Sequence, residues 1–207
     1  MIRWLMLVSF VVAGVQPAAA PKGAVAKPVA DGPQYTADGQ IKFPANYREW
    51  VFLSSGVDMS YTADAMAMDH SIFDNVFVNP LAYREFMKTG TWPEGTMIML
   101  EQRGGEGNHS INKHGQTQSV EVMGTEVHVK DSARLKGDGW GFYGFDNKVS
   151  GKLIERPANC YTCHEAHAAV DTTFVQFYPT LLPVAKAKGT LSKEYLKDEA
   201  GPPAPAK

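Results

Sequence analysis

The sequence predicts an α+β fold that is mainly β: a strand-rich domain with a few helices. Three observations carry this. Five short runs rich in β-branched and aromatic residues follow one another between positions 50 and 146. Clusters of Gly and Asn separate them, notably RGGEGNHSINKHG at Arg103–Gly115. The apolar period turns helical only near the C-terminus. Apolar residues at 44% and charged residues at 20% are globular values, and the length suits one domain with a real core.

The strands expected are WVFL (Trp50–Leu53), SIFDNVFV (Ser71–Val78), TMIMLEQ (Thr96–Gln102), SVEVMGTEVHV (Ser119–Val129) and WGFYGFD (Trp140–Asp146). Several alternate apolar with polar, as half-buried strands do. One helix interrupts them: Asn79 caps it, Pro80 suits its first position, Tyr83, Phe86 and Met87 share a face, and Gly90 ends it. Near the C-terminus, Phe174, Phe177, Leu181 and Val184 recur at helical spacing, with Pro179 and Pro183 inside the stripe. That predicts a helix to about Tyr178 and a second from Pro179 to near Gly189.

The ends read differently. MIRWLMLVSFVVAGVQPAAAPKG has Arg3, an apolar run from Trp4 to Val15 and small residues at Ala18–Ala20, the order of a secretory signal. Residues 1–20 therefore predict export, in a bacterium to the periplasm. Residues 21–38 predict a flexible lead-in, 39–192 the folded domain and 193–207 a disordered tail. A net charge of −2 offers no basic stripe for nucleic acid.

Both cysteines lie in RPANCYTCHEAH, Arg156–His167. A Cys-x-x-Cys pair is a redox dithiol, half of a zinc site, or the attachment point of a c-type haem. Zinc needs two more ligands at regular spacing, and His164 and His167 would crowd one turn with the thiols. A dithiol expects a thioredoxin-like βαβ context, which is missing. The haem reading uses every residue: Cys160 and Cys163 add to the two vinyl groups, and His164 is the proximal iron ligand. One covalently attached haem c is the expected cofactor. Export agrees with it, because c-type haem is attached outside the bacterial cytoplasm.

The motif lies late. Only 207 − 164 = 43 residues follow His164, and none is Met or His except His167, which sits too near on the same helix to reach the opposite haem face. NYREWV (Asn46–Val51), VFVNPLAYREFMKTGTWPEGT (Val76–Thr96), WGFYGF (Trp140–Phe145) and ANCYTCHEAHAAVDTTFVQFYPTLLP (Ala158–Pro183) resemble the cytochrome P-460 family and its relative cytochrome c′-beta. The resemblance implies a mainly antiparallel sheet, a homodimer and one pentacoordinate c-type haem per chain. It also implies a dividing residue. The hydroxylamine-oxidising members carry a lysine bonded to the porphyrin edge, and its place falls at Leu100, which cannot form that link. Lys88 is nearby but reads as a solvated cation at a helix C-terminus. The c′-beta branch, which lacks the link and binds nitric oxide behind phenylalanines, fits better.

For the distal pocket, the candidates are Phe52, Phe73 and Phe77, with Leu100 beside them. Glu155 is a candidate distal base, with an exposed loop glutamate as the plainer reading. Met59, Met66 and Met68, beside His70, could offer a sixth ligand. His109, His114 and His128 read as loop or surface residues. Three functions follow: a periplasmic nitric oxide binder with pentacoordinate iron, an oxidoreductase acting on hydroxylamine, nitric oxide or peroxide, and a low-spin electron carrier. The redox partner stays unidentified.

Overall fold

The computed structural model describes residues 32–61 and 70–201. Within them, the alternating runs pair into one antiparallel sheet. Its strands are β1 (Ile41–Lys42), β2 (Val51–Val57), β3 (Ile72–Val78), β4 (Met97–Gly107), β5 (Gln116–Gln118), β6 (Gly124–Lys130), β7 (Trp140–Gly144) and β8 (Ser150–Leu153). The spatial order is β1-β8-β7-β6-β4-β3-β2, with β5 paired to the far end of β4. All five expected runs contribute a strand. The short β1, β5 and β8 carry too little apolar alternation to be read beforehand, and the fourth run is strand only from Gly124.

The two-residue period sorts the side chains onto two faces. Ile98 packs on one face with Val78, Phe86, Trp92, Val175, Tyr178 and Leu181. Met97, Met99, Val127, Val129 and Tyr143 pack on the other with Ile41, Tyr47 and Trp50. The first face is covered by four helices: α1 (Pro80–Thr89), α2 (Asn159–His167), α3 (Leu182–Lys188) and α4 (Lys193–Ala200). On β2 the pairing slips between Phe52 and Ser54. This bulge lets consecutive residues Leu53 and Ser54 serve the helical face.

Helix α1 has Pro80 in its first turn and closes on Gly90, whose φ of 76° is left-handed and whose N–H bonds the Phe86 carbonyl. A Cβ at Gly90 would stand 2.8 Å from Lys188 Cβ, so α3 also requires glycine there. The Asn79 amide ties the helix start to the sheet: Nδ2 donates to the Gly95 carbonyl at 3.1 Å, and Oδ1 accepts the Met97 N–H at 2.8 Å. Phe86 is fully buried against Trp92, but Met87 is exposed and leaves the predicted apolar face.

Four expectations near the ends are corrected. The helix predicted to reach Tyr178 stops at His167, where Ala168 turns extended; the β-branched residues Val170, Thr172, Thr173 and Val175 are weaker helix formers, and the chain makes a turn and a short 3-10 segment, Val175–Phe177. Helix α3 begins at Leu182 rather than Pro179, and ends at Gly189 as expected. Residues 193–200 of the supposed disordered tail form α4. The Ser192 side chain caps it by accepting the Tyr195 N–H at 3.0 Å, Tyr195 is buried, and Ser192 Oγ donates to the Ala168 carbonyl at 2.6 Å. In the described part of the lead-in, residues 32–38, Tyr35 bridges to Ile41 and its hydroxyl donates to Asp131 at 2.8 Å, so these residues are held. The signal segment 1–20 lies outside the described residues. No helix among them is long and apolar enough to cross a membrane.

Candidate functional site

Helical spacing turns Cys160, Cys163 and His164 towards one side of α2. A nine-residue helix is marginal alone, and Tyr161 anchors this one. Its buried ring meets Phe142 edge-on at 4.9 Å, its hydroxyl donates to the Ile154 carbonyl at 2.8 Å, and it accepts the Phe142 N–H at 3.3 Å. Arg156 covers the Tyr161 ring at 3.9 Å and pairs with Asp138 and Glu165.

Cys160, Cys163 and His164 line one cavity of about 460 Å³ between α2, the Thr173–Tyr178 segment and the helical face of the sheet. That volume falls within the range of cofactor sites. His164 Nδ1 lies 2.7 Å from the Thr172 carbonyl, an acceptor only, so Nδ1 carries the proton and Nε2 keeps its lone pair for a metal. The Phe174 ring lies 4.0 Å from the imidazole, Phe142 4.8 Å and His128 5.2 Å. Burial lowers the His164 pKa, against the opposing pull of the Thr172 carbonyl, which favours the neutral, ligating form. Burial raises the Cys163 thiol.

The floor follows from strand register. Val76 pairs with Leu100, and Leu100 with Glu126; in the next row Ile98 pairs with His128, and His128 with Phe142. Leu100, the expected position of the linking lysine, thus lies in the floor between Val76 and Glu126, and no lysine lines the cavity among the described residues.

The phenylalanine cage does not form. Phe73 and Phe77 alternate with Asp74 and Val76, so they point away from the cavity that those two residues line. Phe77 packs in the opposite core and meets Tyr47 at 5.7 Å. Phe52 pairs with Phe77 across the ladder, meets its ring edge-on at 5.6 Å and is 53% exposed. The parity that grouped the phenylalanines was right; the face assigned to them was wrong. Glu155 is exposed and lies off the cavity. Met59 lines the cavity, His70, His109 and His114 are exposed, and Met66 and Met68 fall outside the described residues. Lys88 pairs with Glu85 at 2.7 Å on the surface, and His167 pairs with Asp198 at 2.6 Å.

His128, expected at the surface, is buried. It stacks on Phe142 with centroids 3.9 Å apart, lies 4.5 Å from Trp140, and its Nε2 has no hydrogen-bond partner. Burial, then His164 and Arg156, hold its pKa well below the ordinary value. The sequence signal was its alternation with Val127 and Val129, which pack on the other face. The sequence reading also missed two carboxylates on the floor, Asp74 and Glu126. Burial and then Asp74 raise the Glu126 pKa, and Asp74 accepts a hydrogen bond from Gln102 Nε2 at 2.9 Å.

The sequence model of one family, described as Cytochrome P460, matches residues 44–175, more than half of the chain and inclusive of the haem motif. The chain belongs to the cytochrome P460 family. It is therefore a haem-binding cytochrome. A comparison with curated proteins finds no match. The site fits the group that the family implies. The cytochrome presents two thiols and a neutral imidazole to a cavity walled by Ile98, Leu100, Phe142 and Phe174, which suits a macrocycle with an apolar body and one ligated metal.

Proposed function

We propose that this protein is an exported mono-haem cytochrome c, with Cys160 and Cys163 forming the thioethers, whose iron has His164 as its one protein ligand and binds nitric oxide. The observation that carries the reading is the convergence of Cys160, Cys163 and the Thr172-held His164 on one cavity whose floor has Leu100 between Val76 and Glu126 and, among the described residues, no lysine. Bound haem supplies an iron with an open position for a small ligand; the chain's part is to hold His164, wall off solvent with apolar side chains, and leave the porphyrin edge unlinked. Periplasmic placement rests on the N-terminal segment, which lies outside the described residues.

A homodimer belongs to the same reading. The edge strand β2 exposes Phe52 and Val57, and an apolar edge of this kind gains from cover by a second copy. The redox partner is an unidentified one-electron protein.

One observation favours a second reading, an oxidoreductase acting on hydroxylamine or nitric oxide. Asp74 and Glu126 put carboxylates where a proton acceptor would be needed. The absorption spectrum of the reduced protein and its titration with nitric oxide test the choice. A broad high-spin spectrum and tight nitric oxide binding support the gas binder. Steady turnover of hydroxylamine with an electron acceptor supports the enzyme and refutes the first reading. Sharp low-spin bands refute both, and point to a methionine such as Met59 on the iron.

A further inference from the structure

Glu126 occupies an unusual place in this sheet. On its strand it alternates with Val127 and precedes His128, so its side chain faces the cavity rather than the second core. Across the ladder, Leu100 stands on one side and Gly144, which has no side chain, on the other. No ion pair or hydrogen bond satisfies the Glu126 carboxylate among the described residues, unlike Glu101 on the opposite face. Glu126 is exposed in this structure and lines the open cavity, so a macrocycle seated there would take it out of water.

The charged and titratable groups around it come from every wall. β3 supplies Asp74, the second acid; β6 itself supplies the buried His128; α2 supplies Cys160, Cys163 and His164; Tyr61, after β2, and Tyr178 supply phenols; and Lys152 of β8, next in the row beyond Gly144, is not part of the lining. None is a cation placed to hold Glu126 ionised. The Asp74 charge opposes a second negative charge in the same cavity. A carboxyl that lines the cavity with a like charge beside it, and that a seated macrocycle would cover, is a group whose protonation follows the charge of whatever fills the cavity.

We propose that Glu126, backed by Asp74, is a proton-uptake site coupled to the oxidation state of the haem iron. This rests on the haem reading above and goes beyond it. When an external one-electron donor lowers the iron's charge by one, Glu126 loses a favourable interaction for its anion and takes up one proton from solvent at a carboxylate oxygen. Oxidation returns the electron to an acceptor and the proton to solvent. The only bond made or broken is that O–H bond. Asp74 is a positioning group, since its negative charge sets where on the pH scale the uptake occurs.

The sign follows from linkage. Glu126 binds its proton more tightly in the reduced than in the oxidised protein. Between those two pKa values the midpoint potential falls as pH rises; outside them it is flat, with the upper plateau on the acid side. With full coupling, a tenfold change in proton concentration is a tenfold change in the equilibrium constant, about 59 mV for one electron.

The test is a potentiometric titration of the haem-loaded full chain, with mediators and dithionite, from about pH 4, near the ordinary carboxylate value, to about pH 9. The wild type is expected to show one sloping segment approaching that limit. Glu126→Gln is expected to be flat and to stay near the wild-type acid plateau. Asp74→Asn is expected to keep the slope but move it to lower pH. Glu155→Gln, an exposed position away from the cavity, is expected to match the wild type. A wild type with no slope, or a slope unchanged in Glu126→Gln, overturns the proposal while leaving the haem assignment intact. A preparation whose denatured chain carries no haem by mass overturns both.

Discussion

Glu101→Gln should weaken the fold by an amount that the structure bounds. Glu101 lies in β4 between Leu100 and Gln102, 1% exposed, and points away from the cavity. One carboxylate oxygen accepts from the Tyr47 hydroxyl and Arg48; the other accepts from Arg103 Nε at 2.6 Å, with Asn75 Nδ2 at a long 3.4 Å. The Arg103 side chain is only 12% exposed, whereas that of Arg48 is 51% exposed and screened by water. Breaking a buried pair costs about 3–5 kcal/mol. Glutamine keeps one acceptor and the Arg48 share is discounted, so about 3 kcal/mol is expected, which for a domain of this size is a fall of about 6–12 °C in Tm. Burial alone would raise the Glu101 pKa, but the bonds from Arg103 and Tyr47 outweigh it and hold it below the ordinary value. A depressed folded pKa means that the stabilisation is complete above the unfolded value of about 4.3, and is lost as pH falls through the folded one. The gap between wild type and variant should therefore narrow in acid. Circular dichroism melts of haem-loaded protein, at neutral pH and stepping into acid, make the measurement. A Tm change below about 2 °C at neutral pH, less than 1 kcal/mol at this size, or a gap that widens in acid, would refute the reasoning.

Mass spectrometry of denatured, haem-loaded protein should show both thiols consumed; Cys160→Ala and Cys163→Ala should each lower the covalent haem yield, and free thiols at both positions would sink the attachment scheme. Anions such as cyanide should bind the ferric protein weakly, because Asp74 and Glu126 repel them and an apolar wall offers little compensation. In that titration, Glu126→Gln should tighten cyanide binding at neutral pH, and an unchanged affinity would remove the repulsion argument. Tyr161→Phe removes one donor and leaves the Phe142 N–H short of an acceptor, so a loss of about 1–3 kcal/mol is expected in a urea melt. No measurable loss would show that the hydroxyl does not anchor α2. Light scattering should give a dimer mass at micromolar concentration, and Phe52→Glu should shift it to monomer; a wild-type monomer would end the assembly reading.

The sheet was legible where alternation ran over several residues, as in β3, β4 and β7, and helix α1 was legible from Asn79, Pro80 and Gly90. Cys160, Cys163 and His164 could be singled out because their spacing is written in the chain itself, and α2 turns all three to one cavity. The floor of the cavity was not, because period two tells which residues share a face but not which face is which. Asp74 and Val76 could be exchanged for Phe73 and Phe77 by one wrong choice, and the aromatic pair looked the better wall. Leu100, already expected at the pocket, pairs with Val76 and with Glu126 across the ladder, so the cavity face is theirs and not that of the phenylalanines. The end of α2 was hidden for another reason: apolar residues at helical spacing continue past His167 and are satisfied by a turn.

That turn has a consequence for the chemistry. Had α2 continued to Tyr178, the carbonyls after His167 would be bonded within the helix. Because the chain leaves the helix at Ala168 and doubles back, the Thr172 carbonyl is free to receive His164 Nδ1–H. The same turn brings Phe174 to 4.0 Å from the imidazole and Thr173 Oγ1 to 2.7 Å from the Trp92 indole nitrogen, which donates to it. Trp92 belongs to the core packed around α1, so the segment that orients His164 is bonded to the body of the domain. Helix α4 closes the other side, where Ser192 bonds Ala168 and Asp198 meets His167. A short helix with little stability of its own is thus fixed at both ends by groups that the rest of the fold supplies. The orientation of His164 is therefore a property of the whole domain, and the Cys-x-x-Cys-His run accounts only for the spacing of the three reactive atoms.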